Sequence, residues 1–118
     1  MLHLKHKNLG VGKDSMNFVS MIYQITQKFP DAEMYGITRQ LRRAAISIPS
    51  NISEGASRNS TTERKRFYRI ARSSLVEIDT QLEISVCLRY LNSDFVDQIT
   101  EVMNKIFAKL TKLIQNTK

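Results

Sequence analysis

The chain has 118 residues and carries 18 Lys and Arg against 11 Asp and Glu, a net charge of +7. This size fits one domain, and a composition with only four Gly and two Pro is too poor in turn residues for an all-β protein. A single cysteine, Cys87, excludes an intrachain disulfide and a thiolate metal cluster. Because there is no long apolar run and no signal-peptide pattern, the sequence predicts a cytoplasmic protein without a membrane span.

The first predicted helix covers residues 14–29 and follows a short N-terminal segment, residues 1–13. Its apolar residues recur at intervals of four and three, which places them on one helical face: Phe18, Ile22, Ile25 and Phe29. Pro30 ends this helix because it restricts the residue before it and has no N–H to donate. Asp31 is then the predicted N-cap of the next helix.

The second predicted helix covers residues 32–57 and has a core face of Ile37, Leu41, Ala45, Ile48 and Ile52. Pro49 lies inside it and is expected to kink the axis, since a helix-interior proline removes one hydrogen bond. Gly55 and the polar cluster after it mark the end of this helix.

The third and fourth predicted helices cover residues 61–91 and 93–116. Ser60 and Glu63 have the spacing of a capping box. The third helix has a predicted inward stripe of Phe67, Ile70, Ala71, Ser74, Ile78, Leu82 and Ser85, continuing at Leu88. The fourth has a stripe of Phe95, Ile99, Val102, Ile106, Leu110 and Leu113. Four long amphipathic segments with short connections predict one all-α domain over residues 14–118, an antiparallel up-down-up-down four-helix bundle.

The charge is distributed very unevenly along the chain. Between Thr38 and Leu75 there are two acids, Glu54 and Glu63, and nine cations: Arg39, Arg42, Arg43, Arg58, Arg64, Lys65, Arg66, Arg69 and Arg72. This stretch therefore holds the whole net charge. Arginine suits bidentate contacts with phosphate or carboxylate groups, so the stretch indicates a polyanionic or acidic partner.

Helical spacing places Lys65, Arg69 and Arg72 on one face, away from the predicted core. Three interpretations of this face are open: a solvated surface, a phosphate-binding surface, or a contact between subunits. Asp79 and Glu83 continue the same face, so one end of the helix is basic and the other acidic. This polarity suits a head-to-tail ring contact as well as an RNA contact. Apolar residues outside the core stripes also favour a packed interface: Tyr35, Ile46 and Val76.

No constellation for catalysis, metal binding or a cofactor is present in the sequence. His3 and His6 have no Cys or acid nearby to complete a metal site. Gly12-Lys13 resembles a phosphate-binding loop only in that pair and follows no predicted strand. The sequence therefore predicts a protein that is not an enzyme and needs no cofactor or metal.

The segment from Gln40 to Gly55, QLRRAAISIPSNISEG, followed by Arg58, resembles the bacterial 23S rRNA intervening-sequence proteins, also called the four-helix bundle protein family. Phe29-Pro30, Glu33, Tyr35-Gly36 and the segment FYRIARSSLVE at 67–77 carry the resemblance further. It covers about residues 8–91, and the fourth helix in pattern only.

The resemblance implies a four-helix bundle that assembles as a homopentamer, with no established enzymatic activity. Related proteins include the accessory subunit of diversity-generating retroelements, a basic pentamer that binds nucleic acid and a reverse transcriptase. The shared motif contains no arrangement of residues that would support catalysis. We therefore interpret four of its residues first as structural: Pro49, Asn51, Glu54 and Gly55.

Two functional hypotheses follow. The first is an oligomeric, non-enzymatic RNA- or DNA-binding protein that neutralises phosphates without reading bases, through Arg39, Arg42, Arg43, Arg58, Lys65, Arg66, Arg69 and Arg72. The second is an interaction scaffold whose basic face docks an acidic protein partner or a neighbouring subunit.

Overall fold

Residues 1–4 and 10–118 are described by the computed structural model, and they form four α-helices, one short 3₁₀ helix and no β-strand. The α-helices are α1 (Gly10–Thr26), α2 (Ile37–Ala56), α3 (Thr61–Cys87) and α4 (Ser93–Asn116), and the 3₁₀ helix spans Asp31–Glu33. The prediction of an all-α protein with four helices is thus confirmed.

Helix α1 begins earlier than the spacing predicts, at Gly10, so the last part of the expected N-terminal segment is helical. Residues 5–9, including His6, lie outside the described part of the chain. The early start has a physical reason, since Val11 is buried in the core. Asp14 on the same turn accepts a 2.5 Å hydrogen bond from Lys109 Nζ and so ties α1 to α4.

The connection between α1 and α2 is longer than predicted. Helix α1 ends at Thr26 because the chain closes into three-residue turns ahead of Pro30, with the N–H of Phe29 donating to the Thr26 carbonyl at 3.1 Å. Asp31 makes no side-chain cap and lies in the 3₁₀ helix. Helix α2 starts only after Gly36, whose φ of −105° and ψ of −120° are not helical.

Helix α3 starts where the sequence predicts, with Ser60 Oγ accepting from the Glu63 N–H at 3.2 Å, but it stops at Cys87 rather than at residue 91. Arg89 adopts a left-handed conformation with a φ of 63°. The N–H of Tyr90 then donates to the Ser85 carbonyl at 2.9 Å and the N–H of Arg89 to the Val86 carbonyl at 3.0 Å, which together form a Schellman motif.

The buried face of α3 follows the predicted stripe at most of its positions: Ala71, Ser74, Ile78, Leu82 and Ser85 are buried. Ile70 and Leu88 are exposed, whereas Tyr68, Leu75 and Gln81 are buried. Phe95 at the start of α4 was also predicted to be in the core, and it is 42% exposed. Both helices have apolar side chains on more than one face, so spacing alone does not select the side that packs inward.

Each helix packs against its neighbour in sequence, and α4 also packs against α1. The contacts between α2 and α3 follow a simple order: Gln40 meets Gln81, and Ser47 meets Ser74. Further along, Gly55 meets Tyr68. Large apolar side chains from all four helices fill the core, among them Phe18, Leu41, Ile48, Ile78 and Ile106. Within the described residues, no helix is both long enough and apolar enough to cross a bilayer.

Candidate nucleic-acid interface

Two adjoining depressions lie on the outside of the α2–α3 pair, and together we call them the α2–α3 groove. One end is lined by Gln40, Arg43, Ala44 and Ser47, and the other by Thr62, Arg66, Arg69, Ile70 and Ser73. Ser74 and Glu77 line both ends and so join them. Both helices line the end that holds Arg43, whereas the residues that line the Arg69 end all belong to α3.

Hydrogen bonds between short polar side chains form the floor of the α2–α3 groove. The Ser47 and Ser74 hydroxyls are 2.9 Å apart. Asn51 Nδ2 donates to the Ser47 carbonyl at 2.8 Å and to the Ser47 hydroxyl at 2.9 Å. Because these side chains are short and mutually bonded, they let α2 and α3 approach closely, with the Ser74 hydroxyl buried between the two helices.

Four of the predicted binding residues have no hydrogen-bonding or ion-pair partner in the described part of the chain: Arg39, Arg43, Lys65 and Arg69. Arg43 and Arg69 are exposed and line opposite ends of the groove. Arg39 is exposed one turn before Arg43 on α2, and Lys65 is half-buried one turn before Arg69 on α3. These four cations are free to contact an external anion.

Arg42 is held in the contact between α1 and α2. Its Nε donates to Thr26 Oγ1 at 2.9 Å, and its guanidinium lies 4.5 Å from the centroid of the Tyr23 ring. Helical spacing predicts that Arg42 points outward with the other cations, because its angular position on α2 lies off the core. It packs against α1 instead, where the acceptor and the ring both come from a helix distant in sequence.

Two further predicted residues, Arg58 and Arg66, are partly engaged by other side chains of the protein. Arg58 donates to Glu54 Oε1 at 2.5 Å and Arg66 to Glu63 Oε2 at 3.3 Å, with the Phe67 ring beneath both guanidinium groups. The Arg66 side chain nevertheless remains 63% exposed.

Arg72 faces α4 rather than the groove. It donates to Thr111 Oγ1 at 3.1 Å and lies 5.6 Å from the centroid of the Phe107 ring. Its position on α3 is thus set by the side on which α4 packs.

Arg64 has a structural role, which the sequence did not distinguish from the role of the other cations. It donates to the carbonyls of Asn59 and Arg58 at 2.8 and 3.2 Å, and to Thr61 Oγ1 at 3.1 Å. It also reaches the Lys118 carbonyl at 2.6 Å. One feature of the sequence could have indicated this role: Arg64 comes early in the helix that follows the end of α2, close to backbone carbonyls that need a hydrogen-bond donor.

The four motif residues lie along the second half of α2. Pro49 is half-buried beside Met16 and Asn17 of α1, and α2 continues through it to Ala56. Asn51 bonds the Ser47 backbone, and Glu54 pairs with Arg58. Gly55 is buried against Tyr68, and burial raises the pKa of that tyrosine while the nearby Arg64 lowers it.

The acid in the groove, Glu77, is exposed, and no cation among the described residues pairs with its carboxylate. Its one hydrogen-bond donor is Gln81 Nε2, at 3.2 Å from Oε1. Gln81 is buried and also reaches Gln40 Oε1 at 3.4 Å, which fixes the side of α3 on which Glu77 is held.

Within residues 1–4 and 10–118, no three His, Cys, Asp or Glu side chains come together as a possible metal site. The fold and the groove thus define a class: a small basic all-α protein of four helices with its free arginines on one helix pair.

The chain belongs to the 23S rRNA-intervening sequence protein family, whose model matches residues 7–112. The resemblance expected from the motif is therefore confirmed. The fold is similar to the crystal structure of a protein of unknown function from the S23 ribosomal protein family of Bacteroides thetaiotaomicron, with a TM-score of 0.79 and 21% identity. That match covers 90% of this chain and 99% of the other. A search of curated proteins finds no match.

Proposed function

We propose that this protein is a non-enzymatic, oligomeric nucleic-acid-binding protein of the cytoplasm that holds RNA or DNA by its phosphates. The observation that carries the proposal is the pair of partner-free arginines, Arg43 and Arg69, at the two ends of the α2–α3 groove. Arg39, Lys65 and the exposed Arg66 extend the positive surface around them. Arginines without internal partners bind phosphate without first breaking a contact.

We further propose that the four helices alternate in direction and that the chain assembles into a ring, the pentamer that the family resemblance implies. The order of contacts between α2 and α3 supports the alternation, because residue numbers rise along one helix as they fall along the other. Exposed apolar side chains support the assembly, notably Tyr35, Ile46 and Val76 at 86%, 43% and 53% exposure. A ring would repeat the basic groove on every subunit and raise avidity for a long polyanion.

The test is the salt dependence of binding to a labelled single-stranded fragment of 23S rRNA, measured by fluorescence anisotropy. Each phosphate contact adds about 0.7 to the magnitude of the slope of log K against log salt concentration for a single strand. Arg43→Ala and Arg69→Ala are each expected to reduce the slope by about that amount. Lys112→Ala, which removes the same charge from the exposed side of α4, is the matched control. Absence of binding at low salt would refute the proposal.

A second candidate function is docking of an acidic protein partner or a neighbouring subunit on the same face. The observation that favours it is the exposed apolar side chain of Ile70 in the groove between Arg66 and Glu77, since a phosphate chain gains nothing from an isoleucine. A pull-down after nuclease treatment separates the two. Retention of one protein in a salt-sensitive manner favours docking, whereas loss of all bound material favours nucleic acid.

A further inference from the structure

Glu77 is the feature of the α2–α3 groove that phosphate binding leaves unexplained. Its carboxylate lies where both ends of the groove meet, and it would repel a phosphate chain bound by Arg43 and Arg69. No cation in the described residues neutralises it. Only a ligand that brings a hydrogen-bond donor to this point would recover the cost of that repulsion.

The protein holds Glu77 in place for such a contact. Gln81 is buried, and its Nε2 donates to Glu77 Oε1 and to Gln40 Oε1. A carboxylate accepts several hydrogen bonds, so this one donor leaves Glu77 with free acceptor positions. The Oε1 atom of Gln81 is itself buried with no partner. Gln81 lines neither end of the groove, so the acceptor positions open to a ligand are those of Glu77.

The neighbouring positions fit a sugar–phosphate chain. The contacts of Gln40 with Gln81 and of Ser47 with Ser74 put Arg43 level with Glu77, across the groove. Arg69 lies eight residues before Glu77, about 12 Å along α3. Ser73 is exposed between these two positions and presents a hydroxyl group. Arg69, the Ser73 hydroxyl and the Glu77 carboxylate thus follow one another along α3, and Arg43 lies on α2 at the level of Glu77.

We infer that the α2–α3 groove selects RNA over DNA, with Glu77 accepting a hydrogen bond from a ribose 2′-hydroxyl while Arg43 and Arg69 hold flanking phosphates. The inference rests on the proposed function and adds the substrate class. The sugar–phosphate backbone of DNA carries no hydrogen-bond donor, so the Glu77 carboxylate repels its phosphates without gaining a hydrogen bond. RNA offers one donor per nucleotide, which is the group by which proteins distinguish the two polymers.

The experiment compares a labelled oligouridylate with the oligodeoxyuridylate of the same length, which differ only in the 2′-hydroxyl. Anisotropy titrations at low salt with the full chain are expected to show RNA bound roughly tenfold to a hundredfold more tightly, the value of one hydrogen bond to a charged group. Glu77→Ala is expected to bind DNA more tightly than the wild type and to bring the RNA-to-DNA affinity ratio close to one.

The matched control is Glu83→Ala, which removes the same charge from an exposed position on α3 outside the groove. It is expected to strengthen both titrations alike and to leave the ratio unchanged. Equal wild-type affinity for the two oligomers, or an RNA preference that persists in Glu77→Ala, would overturn the inference while leaving phosphate binding intact. Failure of the wild type to bind either oligomer would overturn both, and circular dichroism of each variant checks that it is folded.

Discussion

A Cβ atom on Gly55 of α2 would stand 2.8 Å from Cε1 and 2.9 Å from Cδ1 of Tyr68 on α3. The Arg64 carbonyl would lie 3.1 Å from the same atom. Glycine is thus needed at this position for close approach of the two helices rather than for an unusual backbone angle. The contact joins the helix pair that forms the basic groove, so its integrity decides whether Arg43 and Arg69 keep their spacing.

The first prediction concerns this contact. Gly55→Ala should destabilise the protein by about 1–3 kcal/mol, because neither the tyrosine ring nor the helix backbone can move away cheaply. Urea denaturation followed by circular dichroism measures the change. Ser50→Ala, at an exposed position on the same helix, should stay within about 0.5 kcal/mol of the wild type. A neutral Gly55→Ala would show that α2 and α3 are farther apart than described here.

The second prediction concerns Arg42 and Arg69, which the sequence predicts to have the same phosphate-binding role and which have different contacts in the structure. Arg42→Ala should lower stability by about 1–2 kcal/mol, because it removes the hydrogen bond to Thr26 and the contact with the Tyr23 ring. It should leave the salt slope of nucleic-acid binding unchanged. Arg69→Ala should do the opposite, since it touches no other described residue through a polar contact. Denaturation and salt titration of both variants check the pair, and the reverse pattern would contradict it.

The left-handed turn after α3 yields a third prediction. Arg89 has a φ of 63°, where a side chain is strained and glycine is not. Arg89→Gly should therefore raise stability by about 0.5–1 kcal/mol, which is about 2–4 °C in melting temperature for a domain of this size. Arg89→Ala keeps the strain and should bring no gain. Equal melting temperatures for the glycine and alanine variants would show that the turn stores no strain.

The fourth prediction is a pH dependence. Burial raises the pKa of Tyr68 above the usual 10.0, with Arg64 opposing the shift in part. The unfolded chain then loses this proton at lower pH than the folded one, so the contribution of Tyr68 to stability is complete below pH 10 and declines as pH rises through the folded pKa. A glutamate beside its hydroxyl, Glu33, raises the pKa of Tyr90 in the same direction.

The measurement is the free energy of unfolding between about pH 8 and 11, where one tyrosine contributes a slope of at most about 1.4 kcal/mol per pH unit. Tyr68→Phe should flatten the alkaline decline relative to the wild type. An unchanged slope in this variant would show that Tyr68 titrates as freely in the folded protein as in the unfolded chain.

The helices and the location of the charge follow from sequence alone. Apolar residues such as Phe18 and Ile22, or Ile99 and Ile106, recur with the helical period whatever surrounds them, because one face of each helix must be removed from water. Pro30 and Ser60 mark helix ends through local backbone chemistry. The family motif around Pro49 is likewise local, since it lies in one helix.

The limits of the buried face of α3, and the contacts of each cation, were decided only by tertiary structure. Tyr68 is buried and Ile70 is exposed because α3 packs with its Gln81 side toward α2. Arg42, Arg64 and Arg72 find their acceptors at Thr26, Lys118 and Thr111, residues 16, 54 and 39 positions away. Because the acceptors of Arg42 and Arg72 lie on other helices, no local pattern separates these two arginines from Arg43 and Arg69, which have no polar partner among the described residues.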